Sequence, residues 1–354
     1  MKKNKKALPV NELKIGMIIA EKVYSEQTVL INRGVVVTET IINRLKSKYI
    51  YDNIEVFTEE DGEIDFIGLV KEKTVEEIEQ TFKALSFNVE SIFESISIKG
   101  IADIEEIQQF AKKIQGELNS ARTIIKDIVL QGSGEDAIYR HSVNVAALSS
   151  ILGKWLNLDD EEIRDLICAA VLHDFGKTKI DKNILNQAGE LNGNISKEMR
   201  SHPLLSYNIL KSIPNLKSSI AEGVLSHHER LDGSGYPRGL KDDKISAFAR
   251  IIAIADTFDE FNSTRLHSIA KGPFKGLQLI QQQSFGQLDY EYSKVFLEHL
   301  INFYISENVL LNNNNVAKII QIDINDLERP LLLDDQGFVD LKKKSNISID
   351  KLLL

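Results

Sequence analysis

The feature that most constrains the fold is a helical spacing of apolar residues that runs, with short interruptions, from about residue 67 to residue 305. In VEEIEQTFKALSFNVESIF and IEEIQQFAKKIQGELNSARTIIKDIVL, apolar residues recur every three or four positions, which places them on one face of a helix. The pattern continues through YRHSVNVAALSSILGKWL and FARIIAIADTFDEF to SKVFLEHLINFYIS. A large helical central region is therefore predicted.

The two ends of the chain have a different pattern, in which short β-branched runs alternate with turn-forming residues. Near the N-terminus these runs are MIIAEKVY, TVLI and GVVV, followed by an amphipathic helix after Thr38; near the C-terminus they are VAKIIQIDI, RPLLLDD and FVDLKKK. The predicted fold class is mainly α. A helical central domain at 61–305 is flanked by a small α+β, strand-rich N-terminal unit at 1–60 and a short β-rich C-terminal extension at 306–354.

Composition argues against several classes of function. A formal net charge of −9 is unfavourable for general nucleic-acid binding, which normally needs a basic face. A membrane span needs about 18 consecutive apolar residues, and no run in the sequence approaches that length. The start MKKNKKALPV lacks the apolar segment of a signal peptide. A cytoplasmic location is therefore expected. The single cysteine, Cys168, lies in the apolar run DLICAAVL, where we expect a buried core residue.

Histidines are concentrated in the predicted helical region. All seven fall there, and five of them are candidate metal ligands: His141, His173, His202, His227 and His228. Imidazole is the commonest metal-ligating side chain. Neighbouring side chains on a helix diverge by about 100°, so the adjacent pair His227 and His228 is better arranged to bind two ions side by side than to chelate one.

Two aspartates accompany these histidines. Asp174 directly follows His173, and Asp256 lies among apolar neighbours in a predicted helix. A buried, unpaired carboxylate is energetically expensive, and a metal ion is one partner that would offset this cost. Carboxylate oxygens beside imidazoles can also bridge two ions.

Each residue also has an ordinary structural interpretation when it is considered alone. His141 could be a surface or capping residue, His202 could mark a helix start before a proline, and Lys177 could be a cation at a helix end. Asp259, His267 and His299 are expected to have structural roles only. The joint order of the motifs is what favours a metal site.

In that order, the motifs resemble the HD-GYP family of cyclic dinucleotide phosphodiesterases, a branch of the HD metal-dependent phosphohydrolases. The matching segments are YRHSVNVA at 139–146, HDFGKTKIDKNILNQAGELN at 173–192, SHPLLSYNIL at 201–210, HHERLDGSGYPRGLK at 227–241 and ARIIAIADTFDEFNSTR at 249–265. The HHE triplet with DGSGYP is highly specific. The resemblance covers about residues 135–305 and implies a helical HD-type metal-binding domain.

The resemblance also implies a metal centre and a reaction. The expected ligands are His141, His173, Asp174, His202, His227, His228 and Asp256. Asp174 would bridge two ions, which are iron or manganese in family members. The implied reaction is hydrolysis of cyclic di-GMP to pGpG and/or GMP by a metal-activated water, with Asp174 and Lys177 as catalytic residues. The expected substrate contacts are Lys177, Arg265, Tyr236 and Pro237.

The chain departs from the family pattern at two places. Members with a third metal have a glutamate four residues before the first histidine, where this chain has Ala137; two ions are therefore expected rather than three. The family usually continues the Asp256 helix into a segment resembling DRPYRK; this chain has TRLHSIAKG, which keeps Arg265 but replaces the proline and the following basic residues with Leu266, Ser268 and Ile269. That change predicts weaker substrate binding, unless Lys271 replaces the lost cations.

Three functional hypotheses follow from these motifs. The first is a cyclic di-GMP phosphodiesterase, and the second is a phosphodiesterase for another cyclic or linear dinucleotide. The third is a catalytically weak sensor that binds a cyclic dinucleotide and acts through protein contacts. A cyclase or another signalling protein is the expected partner at the GYP loop, and a homodimer is a further expectation.

Overall fold

In a computed structural model of the chain, the described residues are 4–14, 17, 19–21, 23–25, 28–31, 37, 41–42, 45–46, 53–58, 74–100, 103–118, 120–133, 137–185, 197–214, 216–267 and 274–353. The chain divides into two compact units, Met1–Glu72 and Lys73–Leu354, and each has its own apolar core. The three-part division made from the sequence stays a prediction.

The smaller unit contains two antiparallel strand pairs. Strand β1 (Asn4–Leu8) pairs with β4 (Ile54–Thr58), and β2 (Val23–Ser25) pairs with β3 (Thr28–Ile31). Its core includes the fully buried Ile19, together with apolar residues of β1, β2, β3 and β4. A small strand-rich unit was the expectation for this end of the chain.

The helix predicted after Thr38 is described only in part. Residues 41–42 and 45–46 are helical, and Leu45 is fully buried in the core of the smaller unit. The rest of that helix, and most of the predicted strand GVVV, lie outside the described residues.

The larger unit is mainly helical. Its helices are α1 (Val75–Lys99), α2 (Ile104–Glu117), α3 (Ala121–Gln131), α4 (Ala137–Trp155), α5 (Asp160–Leu172), α6 (Lys182–Leu185), α7 (His202–Leu210), α8 (Ser218–Ser226), α9 (Ala247–His267), α10 (Lys275–Gln283) and α11 (Tyr290–Tyr304). Local sequence fixes several ends. Thr74 and Glu77 form a reciprocal capping box at the start of α1, and Asp159 and Glu162 do so at α5. Helix α1 ends at Gly100, whose φ of 70° is the left-handed conformation that glycine adopts without strain.

Helix α4 is the central helix of this unit. Every residue from 140 to 153 is buried, and α4 packs against α1, α5 and α9. A helix that is buried on all sides belongs to the interior of a domain. Its side chains are therefore held by neighbours in every direction, which gives a functional residue on α4 a fixed position.

The C-terminal residues form a five-stranded antiparallel sheet. Its strands are β5 (Asn308–Leu311), β6 (Val316–Asp323), β7 (Asp326–Asp334), β8 (Gly337–Asp340) and β9 (Ile349–Leu353), in the order β8-β7-β6-β5-β9. Buried positions alternate along β6, and residues such as Val309, Ile319 and Leu332 join the same apolar cluster as the helices. The mainly α fold class with a β-rich C-terminal extension is confirmed.

No helix in the described ranges has a stretch apolar and long enough to traverse a lipid bilayer. The cytoplasmic location inferred from the sequence stays a prediction.

We expect Cys168 to be unreactive in the native protein. Its side chain in α5 has no exposed surface, and burial raises the pKa of its thiol to about 12. Because the thiolate is the reactive form, a disulfide reagent at pH 8 should label the native chain at least about 100-fold more slowly than a free thiol. Labelling of one thiol per chain should become rapid in denaturant. Rapid labelling of the folded protein would contradict this packing.

Candidate metal centre

The residues predicted to bind metal are brought together in the larger unit, and each lies in a helix or at a helix end. His141 lies inside α4, and Asp256 lies inside α9. His173 directly follows α5, His202 is the first residue of α7, and His227 directly follows α8. All five are buried. The segments that carry them are distant in sequence and meet at one place because α4 packs against α5 and α9, α8 packs against both of these, and α7 packs against α8.

The buried histidines are oriented by hydrogen bonds at Nδ1. In three of them, Nδ1 donates to the backbone oxygen of the residue three positions earlier, at the end of a helix or helical turn. These bonds are His173 to Ala170 at 2.6 Å, His202 to Met199 at 2.7 Å and His227 to Val224 at 2.7 Å. The last carbonyls of a helix lack intrahelical partners, so they are available as acceptors. With the proton on Nδ1, each Nε2 keeps a lone pair that can bind a metal.

The Nε2 atoms of these rings point at one another. Nε2 of His141 lies 3.2 Å from Nε2 of His173, and Nε2 of His202 lies 3.3 Å from Nε2 of His227. In the pair His202 and His227, whose Nδ1 atoms carry the protons, two Nε2 lone pairs that face each other at this separation repel. A cation held by both nitrogens removes that repulsion, so the arrangement fits a metal site.

Two carboxylates share this space. Oδ1 of Asp174 and Oδ1 of Asp256 are buried without a hydrogen-bond partner. Oδ2 of Asp174 lies 3.3 Å from Nε2 of His141, and Oδ1 of Asp174 lies 3.2 Å from Nε2 of His202. A buried acceptor without a donor is costly, and a metal ion would satisfy it. Asp174 therefore faces both pairs of histidines.

The ligand atoms fall into two groups, and within each group they all lie within 4.8 Å of one another. One group contains Asp174, His202, His227 and His228, and the other contains His141, His173 and Asp256. Unpartnered carboxylate oxygens and converging imidazole nitrogens are donors that suit a first-row transition metal. The residues therefore fit the metal that the sequence predicts.

The electrostatic environment keeps most of the imidazoles neutral. Burial lowers the pKa of His173, and burial together with neighbouring imidazoles lowers the pKa values of His227 and His228 far below the ordinary value. Neutral imidazole is the form that binds a metal. For His141, burial acts in the same direction, but hydrogen bonds to Asp174 and the other nearby carboxylates outweigh it and raise the pKa.

The two carboxylates stay ionised despite their burial. Burial alone would raise their pKa values. The Lys177 ammonium, with His173, holds the pKa of Asp174 well below its usual range, and the nearby His141 ring lowers that of Asp256. Ionised oxygens are what a metal centre needs.

Lys177 lies beside the centre. Its Nζ is 2.6 Å from Oδ2 of Asp174, and its side chain is 17% exposed. Burial would lower the pKa of Lys177, but attraction by Asp174, Glu260 and Asp256 outweighs it and raises the pKa. Lys177 is therefore a permanent cation at neutral pH. Glu260 lies one turn after Asp256 on α9, and repulsion by Asp256 raises the pKa of the Glu260 carboxyl to about 7.

The GYP loop is folded against the adjacent histidines. The ring of Tyr236 stacks on the ring of His228, with centroids 4.7 Å apart and planes 26° apart. The backbone N–H of Tyr236 donates to the backbone oxygen of His228 at 3.2 Å, and the backbone N–H of Arg238 donates to the buried Glu229 carboxylate at 2.7 Å. Pro237 follows Tyr236 through a cis peptide bond and is exposed. The side chain of His228 is 11% exposed, so the centre meets solvent beneath this loop.

Three residues discussed from the sequence cannot be placed in this way. The side chains of Arg265 and Ala137 lie outside the described residues, and so does the whole of Lys271. Substrate binding by Arg265, and the absence of a third ion, stay predictions.

Sequence reasoning missed Asp259, which was assigned a structural role only. Its Oδ2 accepts hydrogen bonds from Nδ1 of His141 at 2.7 Å and from Oγ of Ser133 at 2.8 Å, and its Oδ1 accepts one from Nδ2 of Asn144 at 2.8 Å. The signal was its spacing. Asp259 lies three positions after Asp256 on an apolar helix, which places both carboxylates on one side of α9.

Comparison with known proteins agrees with this geometry. Residues 124–291 match the family described as HD domain. The chain is 25% identical over 233 residues to the cyclic di-GMP phosphodiesterase PA4108 of Pseudomonas aeruginosa, a match that covers 66% of this chain and 56% of the relative. It is 33% identical over 151 residues to the 3'3'-cGAMP-specific phosphodiesterase 3 of Vibrio cholerae, which covers 43% of this chain and 33% of the relative.

A solved structure has a similar fold. Bd1817, described as an HDG"Y"P protein from Bdellovibrio bacteriovorus, matches with a TM-score of 0.53 at 16% identity, over 84% of this chain and 99% of that one. This likeness shows a shared fold, and the HD-domain match with the curated relatives confirms the resemblance to the HD-GYP family. The chain spans about half the length, or less, of the curated relatives described above.

We expect substitution of Asp259 to weaken metal binding. Asp259→Ala removes the acceptor that fixes the His141 ring, and loss of such a partner typically lowers metal affinity about 10- to 100-fold. Ser133→Ala is the matched control, because it removes another contact of the same carboxylate and leaves the bond to His141. Affinity can be measured by competition with a coloured chelator. Equal affinities for Asp259→Ala and the native chain would contradict the orienting role.

We expect Gly235→Ala to disrupt the GYP loop. A Cβ at this position would lie 2.4 Å from the backbone N of Arg230 and 2.4 Å from the backbone O of His228, so the backbone would have to shift. The stack of Tyr236 on His228 should be lost, and the melting temperature should fall. Gly116→Ala in α2 is the control, because its Cβ would meet nothing within 4 Å. Calorimetry and the near-ultraviolet circular dichroism of the two variants test this; identical behaviour would refute it.

Proposed function

We propose that the chain is a metal-dependent phosphodiesterase that hydrolyses cyclic di-GMP to pGpG and/or GMP. The observation that carries the proposal is the position of Asp174, whose two oxygens face two separate groups of imidazole nitrogens. A bridging carboxylate between two ligand groups is the arrangement used by two-metal phosphohydrolases. The names of the curated relatives, which are cyclic dinucleotide phosphodiesterases, support the substrate class.

The two groups would hold two ions, iron or manganese. His141, His173 and Asp256 would bind one, and His202, His227 and His228 the other, with Asp174 shared. When bound, the ions supply Lewis acidity towards phosphate and lower the pKa of a water. The nitrogen and carboxylate donor set suits either metal, and Cys168, the chain's only cysteine, is buried in α5 and belongs to neither group.

The chain's own side chains would position the substrate. Lys177 stays protonated, so its ammonium can hold a nonbridging phosphate oxygen as negative charge accumulates there. Tyr236 stacks on His228, and it and the adjacent Pro237 would contact the nucleoside part of the substrate. Arg265 would supply a further cation. The ionised state of Asp174 and Asp256 keeps the ligand set ready before substrate arrives.

The same assay should include a second cyclic dinucleotide as substrate. The 33% identical relative from Vibrio cholerae is named as specific for 3'3'-cGAMP. Substrate choice would depend on contacts to the bases. Purified protein loaded anaerobically with iron or manganese should therefore be assayed against cyclic di-GMP, 3'3'-cGAMP and pGpG, with the bound metal counted.

We expect two metal ions per chain and turnover of cyclic di-GMP in preference to 3'3'-cGAMP. Metal-loaded protein that binds cyclic di-GMP and leaves it intact would refute the enzyme and favour the sensor. Preference for another dinucleotide would change the substrate and keep the reaction class. Binding of a cyclase or other signalling protein at the GYP loop, and homodimerisation, stay predictions.

We expect Asp174→Ala to abolish turnover and Lys177→Ala to lower kcat by about 100- to 1,000-fold, the usual effect of losing one preorganised group that stabilises transition-state charge. Metal content should fall in Asp174→Ala, because both groups lose a donor. Lys179→Ala is the matched control: it lies in the same 3-10 helix, Phe175–Lys179, and its Nζ contacts Ser97 instead of the centre. Equal losses of kcat in both lysine variants would contradict the role of Lys177.

A further inference from the structure

Tyr236 contacts a second side chain besides His228. The guanidinium carbon of Arg200 lies 5.1 Å from the centroid of the Tyr236 ring. Tyr236 in turn stacks on His228, so Arg200 lies within about 10 Å of the His228 ring. Arg200 is two residues before His202, whose ring also contacts Tyr236, with centroids 6.4 Å apart. The Tyr236 ring thus contacts both Arg200 and the metal-ligand candidate His228.

Arg200 differs from other arginines of the larger unit. Several of them form an ion pair with a carboxylate: Arg122 with Glu307, Arg140 with Asp127, Arg238 with Glu222 and Arg250 with Asp289. Arg200 is exposed, and no carboxylate in the described part of the chain lies within ion-pair distance of it. Its guanidinium is therefore an exposed cation beside the Tyr236 ring.

The charge around the centre makes this cation important for an anionic ligand. The chain has a net charge of −9, and the carboxylates of Asp174 and Asp256 belong to the ligand groups. Lys177, the cation inside the centre, is already paired with Asp174. An approaching dianion needs a cation that is not already neutralised, and a planar guanidinium matches the oxygens of a phosphate in a fork-like arrangement.

We propose that Arg200, supported by the Tyr236 ring, binds the phosphodiester of a cyclic dinucleotide that is not being hydrolysed. This inference rests on the proposed function and names one specificity contact for it. A cyclic dinucleotide has two phosphodiesters; when one occupies the metal ligands, the other lies one nucleoside away. Arg200 contacts the Tyr236 ring within about 10 Å of the His228 ring, so it could reach that second group, and it would distinguish a cyclic dinucleotide from a single phosphodiester.

The test compares Arg200→Ala with Lys211→Ala in the full metal-loaded chain. Both substitutions remove one positive charge from an exposed residue near α7, but Lys211 has no ring contact and lies at the opposite end of that helix. Arg200→Ala should raise both the Kd and the KM for cyclic di-GMP about 10- to 100-fold, the usual effect of losing a hydrogen bond to a charged group. The change in kcat should be under about threefold, and Lys211→Ala should change none of these constants by more than about twofold.

Two further measurements make the assignment specific. Arg200→Lys keeps the charge but loses the planar fork, and should give an intermediate Kd. The increase in KM caused by Arg200→Ala should be larger for cyclic di-GMP than for bis(p-nitrophenyl) phosphate, which has one phosphodiester. Equal increases for the two substrates, or a Kd for Arg200→Ala that equals that of Lys211→Ala, would overturn the proposal.

The outcome is separable from that of the proposed function. If the native chain binds cyclic di-GMP without turnover, the phosphodiesterase is refuted, and calorimetric Kd values for the same variants still decide the role of Arg200. If turnover is normal and Arg200→Ala binds cyclic di-GMP as tightly as the native chain does, the phosphodiesterase stands and the role of Arg200 is refuted.

Discussion

The hydrogen bond from imidazole Nδ1 to a nearby acceptor is the interaction on which the candidate centre depends. In three of the histidines the acceptor is the carbonyl of the residue three positions earlier, at the end of a helical segment. This geometry needs no additional side chain, because a helix end already leaves carbonyls without partners. This one hydrogen bond therefore gives the backbone carbonyl a donor, places the proton on Nδ1 and directs the Nε2 lone pair towards the metal site. His141 lies within a helix, where its own backbone offers no such acceptor, and Asp259 takes over the role.

Ion pairs between α4 and its neighbouring helices support the centre. Arg140, the neighbour of His141, is buried and donates to Asp127 on α3 at 2.5 Å and to Glu79 on α1 at 2.8 Å. Burial raises the pKa of Asp127 to about 7 even though the Arg140 cation stabilises the ionised carboxylate. Three helices are thus joined through the residue next to a ligand, and the position of His141 depends on side chains that never approach the substrate.

Much of this organisation was predictable from the sequence, for physical reasons that differ between residues. The helical core followed from apolar spacing, and the ligand types followed from the order of the histidine and aspartate motifs. The role of Asp259 was missed because a single carboxylate on an apolar helix has several possible partners, and only packing shows that His141 is the one. The contact of Arg200 with Tyr236 was also invisible, since it joins two segments 36 residues apart through a loop whose closure depends on Glu229.

The C-terminal sheet has a consequence for how the larger unit comes apart. Its buried residues, from Val309 to Leu341, belong to the same apolar cluster as those of α1 and α4. A continuous core of this kind favours a single cooperative unfolding transition, in which strands and helices lose their structure together. The free energy that keeps the imidazoles assembled is therefore shared across the whole unit, and a cavity opened beneath the sheet would reduce the population of chains able to take up metal.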